Sequence, residues 1–399
     1  VGGTLVDGAG NPPLAHGAVV TANGSIVTIG PADRVTIPAD AEVIDASGGT
    51  VLPGIVNSHA HVERDVHAVL RAFLSDGVTS VGNTGSAARS VATYRETGRL
   101  PDAARGFAAG QAITAPGGYP ANRGDGSAAR GVRTPAEAEA AVDDMVALGA
   151  DFIKVCLEPF DFNFRDPGSL PMPSPAAVAA AIRRAHGHDR LVRAHVHHAP
   201  QLDIALDAGV DSIEHVLFPL PQRAGYVELL QSGLLQLAAL PDFDRRLDRM
   251  ARQGVYVVPT IGNEVANIAR GLPELPADAL AAIEALMVEV LAAVHRAGIR
   301  VALGNDWVGL PDLPLGLPLP ELRYMERAGM TPLEVVEAAT RHAAAVCGQR
   351  ASLGTLELGK LADIVVVEGD PLADVGALAN VRHVVKDGRV VPPPAAIAP

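Results

Sequence analysis

Through the first fifty residues, apolar and polar positions alternate with a period of two, the signature of half-buried strands. In GAVVTANGSIVTIG the alternation breaks at Asn23-Gly24, a pair that accepts positive φ at both turn positions, so a two-residue hairpin is predicted. The far end reads alike: ADIVVVEGDP predicts a strand and VRHVVKDGRVV a hairpin turning at Asp387-Gly388. Neither end has strands enough for a core of its own, so residues 1–53 and 350–399 are expected to share one small composite β-sandwich. Between them, over residues 54–349, short apolar runs alternate with Ala-rich helical stretches. VLPGIVN, VTSVGN, GFAAGQAI, DFIKVCL, LVRAH, VDSIEH, VYVVPT and IRVALGND are the predicted strands. Thr134-Pro135-Ala136-Glu137 and Thr331-Pro332-Leu333-Glu334 read as capping boxes with proline at the first helical position, and Gly149 and Gly348 as C-terminal caps. This succession predicts an α/β fold, a (β/α)8 TIM barrel, with a doubly wound open sheet as the alternative.

Composition narrows the class. A chain of 399 residues suits one barrel of about 250 residues plus a smaller module. The net charge of −13 argues against nucleic acid or an anionic membrane as partner and leaves a small-molecule substrate as the expected one. Mean hydropathy is +0.21, yet no run of about 18 apolar residues exists to span a bilayer. With aromatics at only 4%, the apolar content is mainly Ala, Val and Leu, as expected for Ala-rich helices on aliphatic strands. Cys156 and Cys347 are too few for a disulfide framework or a thiolate-only zinc site. No basic segment followed by an apolar one opens the sequence, so a cytoplasmic protein is expected, with a removed leader left open.

In a TIM barrel the reactive side chains project from the C-terminal ends of the strands. The first predicted strand ends in His59-Ala60-His61, whose imidazoles, two residues apart, face the same way and can chelate one ion. Lys154 sits between Ile153 and Val155, where an ammonium is costly to bury. It is read either as half of a salt bridge or, beside metal ions, as a lysine carboxylated by CO2 into an anionic ligand. His195 ends the fifth strand and His215, twenty positions on, the sixth; Asp306 ends the eighth. A carboxylate there can bind a metal and accept a proton from metal-bound water.

With these residues in this order, the sequence resembles the amidohydrolase superfamily over nearly its whole length, in the branch of imidazolonepropionases and prolidase-like dipeptidases. TVLPGIVNSHAHV, GADFIKV, ALDAGVDSIEH, VALGND and LGTLELGKLADIVVVEGDP carry the resemblance. It implies a binuclear centre in which His59, His61 and Asp306 hold one divalent metal and His195 and His215 the other, bridged by carboxylated Lys154. A hydroxide shared by the metals would attack a carbonyl carbon, and Asp306 would pass its proton to the leaving nitrogen. Imidazole-rich ligation favours zinc, with manganese, iron or cobalt as substitutes. The implied reaction is hydrolysis of a C–N amide bond in a peptide-like, N-acyl or cyclic-amide substrate. A lactone, carbamate or phosphoester hydrolase and a non-catalytic scaffold are the rivals, and a homo-oligomer is compatible with all of them.

Substrate contacts are expected from the loops. Tyr119 and Arg123 lie in the Gly-rich ITAPGGYPANRGDG, with Tyr119 at the place where relatives often carry a histidine. His197 is expected to contact substrate and His198 to lie on the loop surface. Arg64 is read as a carboxylate clamp or, with Glu63 or Asp65, an internal ion pair; Trp307 as a pocket wall or a structural tryptophan. The other histidines, among them His67, His186 and His342, are expected to be structural or solvated. Phe160, Phe162 and Phe164 suggest an apolar lining or a lid. Dipeptidase relatives tend to place a Tyr and an Arg in and after the fifth-strand loop; here no Arg occurs in His197-His198-Ala199-Pro200-Gln201-Leu202-Asp203.

Overall fold

A computed structural model describes residues 1–162, 168–216 and 242–392. Four strands come first: β1 (Thr4–Leu5), β2 (Gly17–Ala22), β3 (Ser25–Pro31) and β4 (Gly49–Pro53). β2 and β3 form the expected hairpin, with Asn23 and Gly24 at φ 51° and 79°. Both values are positive, as a type I′ turn requires. The run VLPGIVN is not one strand. It divides at Gly54, where a Cβ would stand 2.1 Å from Thr79 Oγ1, so glycine lets the chain step from one sheet to the next.

The barrel strands follow in order: β5 (Ile55–Ala60), β6 (Val78–Asn83), β7 (Arg105–Ala108), β8 (Ala112–Thr114), β9 (Ala129–Gly131), β10 (Ile153–Cys156), β11 (Val192–His195), β12 (Ser212–Glu214), β13 (Tyr256–Val258) and β14 (Arg300–Val301). All their pairings are parallel. The predicted third strand is broken: β7 pairs with β6 and β8 with β10, with Gly110 at φ 73° between them. β9, from the Gly-rich loop, adds to β8. Backbone bonds close the circle between the eighth and first strands: Ser58 N–H to Leu303 O (2.9 Å), Asp306 N–H to His59 O (2.8 Å) and His61 N–H to Trp307 O (2.7 Å). The fold is therefore a (β/α)8 barrel, and the strand ends that carry the candidate chemistry are themselves part of its seam.

Three further strands end the chain: β15 (Ile364–Glu368), β16 (Val381–Lys386) and β17 (Arg389–Val390). They join β1 and β4 in one sheet of order β1-β4-β15-β16-β17, so the two chain ends do pair. The turn at Asp387-Gly388 forms as expected, at φ 50° and 73°. Leu5, Ile26, Val51, Ile364, Val366 and Val385 fill a small core between this sheet and the β2–β3 hairpin. A much larger core unites the barrel with its helices.

Helix boundaries follow local chemistry. Thr331 forms a full capping box with Glu334, and Gly149 and Gly348 take the expected positive φ. Thr134 accepts from Glu137 N–H, but the Glu137 carboxylate reaches back to Arg133 N–H instead, so that box is only half made. Helix Ala277–Arg296 buries Ile283, Met287, Val290, Leu291 and Val294 along one face, the spacing of an amphipathic helix against a core. No helix among the described residues is long and apolar enough to cross a membrane.

Candidate metal centre and active-site cavity

His59, His61, Lys154, His195, His215 and Asp306 come together at the C-terminal mouth of the barrel and line one cavity of about 520 Å³. The strand pleat accounts for part of this. In β10–β12, Lys154 is in register with Arg193, and His195 with Glu214. The pleat alone would send Glu214 and His215 to opposite faces. His215 escapes by taking φ 75° directly after β12, and both side chains reach the centre. Thr260 (φ 52°) and Asp306 (φ 51°) do the same after the seventh and eighth strands. Three successive strand ends thus hold left-handed, non-glycine backbone at about 1–3 kcal/mol each, the kind of local strain that clusters at functional sites.

The donor set calls for a cation. His59 Nδ1 lies 2.6 Å from Glu214 Oε2, and His61 Nδ1 is 2.9 Å from Gly85 O. Both rings are thereby fixed with Nε2 pointing inward, 3.2 and 3.1 Å from the same oxygen, Asp306 Oδ1. Two imine lone pairs and a carboxylate oxygen repel unless a proton or a metal ion lies among them. Burial, the largest influence on His61, lowers its pKa, but the Asp306 carboxylate outweighs it and holds the ring above the usual value. Burial likewise penalises the Asp306 carboxylate, yet His59 and His61 keep it well below the usual range.

On the other side, burial depresses His195 to about 3 and His215 well below its ordinary value, so both are neutral imidazoles, the form that ligates metal. Ligand atoms of His59, His215 and Asp306 lie within 4.8 Å of one another, and so do those of His195, His197 and His215. Lys154 lines the same cavity, only 3% exposed, and its Nζ has no hydrogen-bond partner among the described residues. Burial lowers its pKa, more than the neighbouring Glu214 raises it. No salt bridge to Lys154 forms, so that alternative is set aside among the described residues. These residues fit a divalent metal centre: orphaned buried donors and acceptors surround one cavity, and His195 and His215 are neutral imidazoles.

The remaining expected contacts divide. Tyr119 packs at a tilt against His195 and Phe162, with ring centroids 4.8 and 4.9 Å apart, and lines the cavity. Arg123 stands at the entrance with its guanidinium 4.9 Å from the Phe162 ring and forms no ion pair among the described residues. Arg64 is exposed on an adjoining groove and pairs with neither Glu63 nor Asp65, which corrects the ion-pair expectation; Glu63 instead accepts from Ala87 N–H. Trp307 is buried edge-on against Phe73 and reaches the same groove. Phe162 lines the cavity and Phe160 packs edge-on against His198; Phe164 lies outside the described residues.

His198 is not on the surface. It is buried, with Nε2 3.6 Å from Glu158 Oε1, because the helix Ala199–Ala208 starts directly after it and turns its ring inward. His197 is held between two carboxylates, Nδ1 2.7 Å from Glu158 Oε2 and Nε2 3.3 Å from Glu264 Oε1. Burial opposes its charge, but these partners raise it to about 10, so it is an imidazolium. Of the histidines expected to be structural, His67 pairs with Asp102, His186 with Asp211 and His342 with Val301 O.

Several residues of the site were not singled out in the sequence. Arg193 and Glu214, both 0% exposed, form a two-pronged ion pair (2.9 and 2.7 Å), and Arg193 also donates to Ser58 O at 2.8 Å. The signal was available, since a charge inside the apolar LVRAH and VDSIEH demands a buried partner. Glu158, Asn263 and Glu264 gave no such signal; they lie on loops and a helix whose position only the fold decides.

Residues 50–391 match the sequence profile of the amidohydrolase family, so the chain belongs to that family. Among curated relatives, ochratoxinase of Aspergillus niger is 29% identical over 259 residues, 64% of this chain; the match takes in about half (49%) of the fungal protein's length. Imidazolonepropionase of Symbiobacterium thermophilum is 25% identical over 98% of this chain and 95% of its own. Among solved structures, a Xaa-Pro dipeptidase with bound methionine in its active site superposes with a TM-score of 0.76 at 27% identity, covering 97% of this chain and 98% of that one.

Proposed function

We propose that this protein hydrolyses a C–N amide bond in a small peptide-like or N-acyl substrate. One observation carries the reading: imidazoles and a carboxylate from four strand ends converge around a buried, unpartnered lysine at the floor of a cavity large enough for such a molecule. His59, His61 and Asp306 would hold one divalent metal and His195 and His215 a second, zinc being the ion an imidazole-rich set favours. Carboxylated Lys154 would join the two halves. In its neutral form the amine would attack CO2, lose an N–H proton to solvent and become an anionic carbamate. When bound, such ions act as Lewis acids and lower the pKa of water from 15.7 toward about 7.

The chain's own residues do the rest. Asp306, ionised and held at Oδ2 by Asn263 Nδ2 (2.5 Å), keeps Oδ1 directed at the reacting centre, where it can take a proton and return it to the leaving nitrogen. Tyr119 and Phe162 give the substrate an apolar wall, and Arg123 at the entrance, without an ion pair among the described residues, suits a substrate carboxylate. The fold does not choose the bond, because one barrel hosts many chemistries. Two measurements test the reading: elemental analysis with and without bicarbonate during reconstitution, and a panel of chromogenic amides, esters and phosphotriesters. Divalent metal with amide turnover is expected. Metal-free protein that cannot be reconstituted, or activity confined to phosphotriesters, overturns it.

A further inference from the structure

The seam between the first and eighth strands is irregular beside the candidate ligands. Ser58 N–H bonds to Leu303 O, and His61 N–H bonds to Trp307 O. From one bond to the next is three residues along the first strand but four along the eighth, so the eighth strand carries one extra residue there. Asn305 and Asp306 lie in this bulge, Asp306 at φ 51°. Bulges beside active sites re-aim a side chain. Here the side chain is that of Asp306, whose Oδ1 stands 3.2 Å from His59 Nε2 and 3.1 Å from His61 Nε2.

A bulge leaves buried backbone groups to be satisfied in some other way. In a regular parallel pairing, Ser58 O would accept the next inward N–H of the eighth strand, that of Asn305. Arg193 Nη1 takes that carbonyl instead, at 2.8 Å. The Asn305 N–H turns to the side chain of Asn57, whose Oδ1 accepts it at 3.3 Å and lies 3.4 Å from His59 N. Asn57 Nδ2 in turn donates to Asn305 Oδ1 at 2.7 Å. One amide therefore clasps Asn305 by both main chain and side chain, and faces the main chain of His59 as well. Asn57 is 0% exposed and Asn305 4%, so solvent does not compete for these bonds. A carboxylate at this position would accept but not donate, and an alkyl group would do neither.

We propose that Asn57 is a positioning residue for the metal centre: its amide clasps Asn305 and so holds the bulge that aims Asp306 at His59 and His61. Asn57 does not itself line the cavity and acts only through these neighbours. The role rests on the metal-dependent reading above.

Two measurements on the whole chain, stripped of metal, test this role in Asn57→Ala, Asn305→Ala and the double variant. Ile182→Ala serves as control, since Ile182 is buried on the helix Pro175–Gly187 and its truncation loosens the barrel without touching the seam. The first measurement is hydrogen exchange over residues 302–308, read by mass spectrometry. Asn57→Ala should exchange there about tenfold faster than Ile182→Ala, because the bulge has lost its clasp. The second is titration with cobalt(II), followed by the visible absorption of the bound ion. Asn57→Ala should weaken cobalt binding by about 10–100-fold, and Asn305→Ala by less, since its N–H still reaches Asn57. The double variant should lose no more than Asn57→Ala, because the two residues act as one unit. Ile182→Ala should bind cobalt as the wild type does. Wild-type exchange over the seam in Asn57→Ala overturns the proposal, as does unchanged cobalt affinity in that variant. Additive losses in the double variant, or an equal loss in Ile182→Ala, overturn it too. A wild type that takes up no cobalt instead overturns the metal-dependent reading and the positioning role with it, while exchange over the seam still decides whether the clasp forms.

Discussion

His59 Nδ1 and Glu214 Oε2 lie 2.6 Å apart in the barrel interior, and neither side chain reaches solvent. Glu214 is anchored by Arg193, which in turn donates to the backbone of Ser58, one residue before His59. The three side chains thus form a closed brace across the first, fifth and sixth strands. With this carboxylate behind its ring, His59 presents Nε2 to the reacting centre, 3.2 Å from Asp306 Oδ1, the arrangement that makes an imidazole a strong metal ligand.

Glu214→Gln should therefore weaken metal binding by about 10–100-fold, the usual effect of losing such an outer partner. Metal titration followed by elemental analysis measures it. The same change leaves Arg193 buried without its counter-ion and should cost about 3–5 kcal/mol of stability, read from denaturant unfolding. Unaltered metal affinity would remove Glu214 from its positioning role.

Asp306→Asn should lower kcat by at least about 100-fold, the scale of a general acid–base contribution, while circular dichroism stays that of the wild type. Asn keeps the bond to Asn263 in shape but cannot take up the proton. Near wild-type turnover would exclude Asp306 as the proton carrier.

Lys154→Met should bind markedly less metal than the wild type. A carbonyl resonance from ¹³C-labelled bicarbonate, expected in the wild type, should be missing from the variant. The physical basis is the lowered pKa of Lys154 and its Nζ, unpartnered among the described residues, which both favour the nucleophilic form of the amine. The same signal in both proteins would place the label elsewhere.

Glu321, which is not among the candidate metal ligands, supplies a pH test. Its carboxylate caps the helix bearing Asn263 and Glu264, accepting from Ile261 and Gly262 N–H at 2.9 and 3.0 Å. Burial nevertheless raises it from 4.5 to about 7. Because the folded pKa is the higher one, the folded state binds more protons, and this contribution is complete below about 4.5 and lost as pH rises through 7. Relative to Glu321→Gln, wild-type stability should fall by up to about 3 kcal/mol across that window. Chemical denaturation at pH 4.5, 6 and 7.5 would show it; a constant difference would refute it.

Gly304 should not tolerate a side chain. A Cβ there would stand 2.5 Å from Val258 Cγ1 and 2.6 Å from His59 Cβ. Gly304→Ala is expected to cost about 1–3 kcal/mol by overpacking and, by displacing His59, to reduce metal content. Unfolding curves and elemental analysis check both effects.

The sequence by itself determined what depends on near neighbours. Alternation at period two gave the hairpins at Asn23-Gly24 and Asp387-Gly388, and Thr331 with Glu334 set a helix start, because turns and caps are made within a few residues. The order of His59, His61, Lys154, His195, His215 and Asp306 at strand ends was legible because a parallel barrel brings all such ends to one rim. Tertiary structure alone decided the rest. Whether Arg193 meets Glu214, whether His198 faces in or out, and whether Asn57 meets Asn305 depend on residues far apart in the chain. The left-handed turns at His215, Thr260 and Asp306 belong here too: Asp and His enter that region more readily than most residues, but β-branched Thr does not, and the surrounding barrel holds all three.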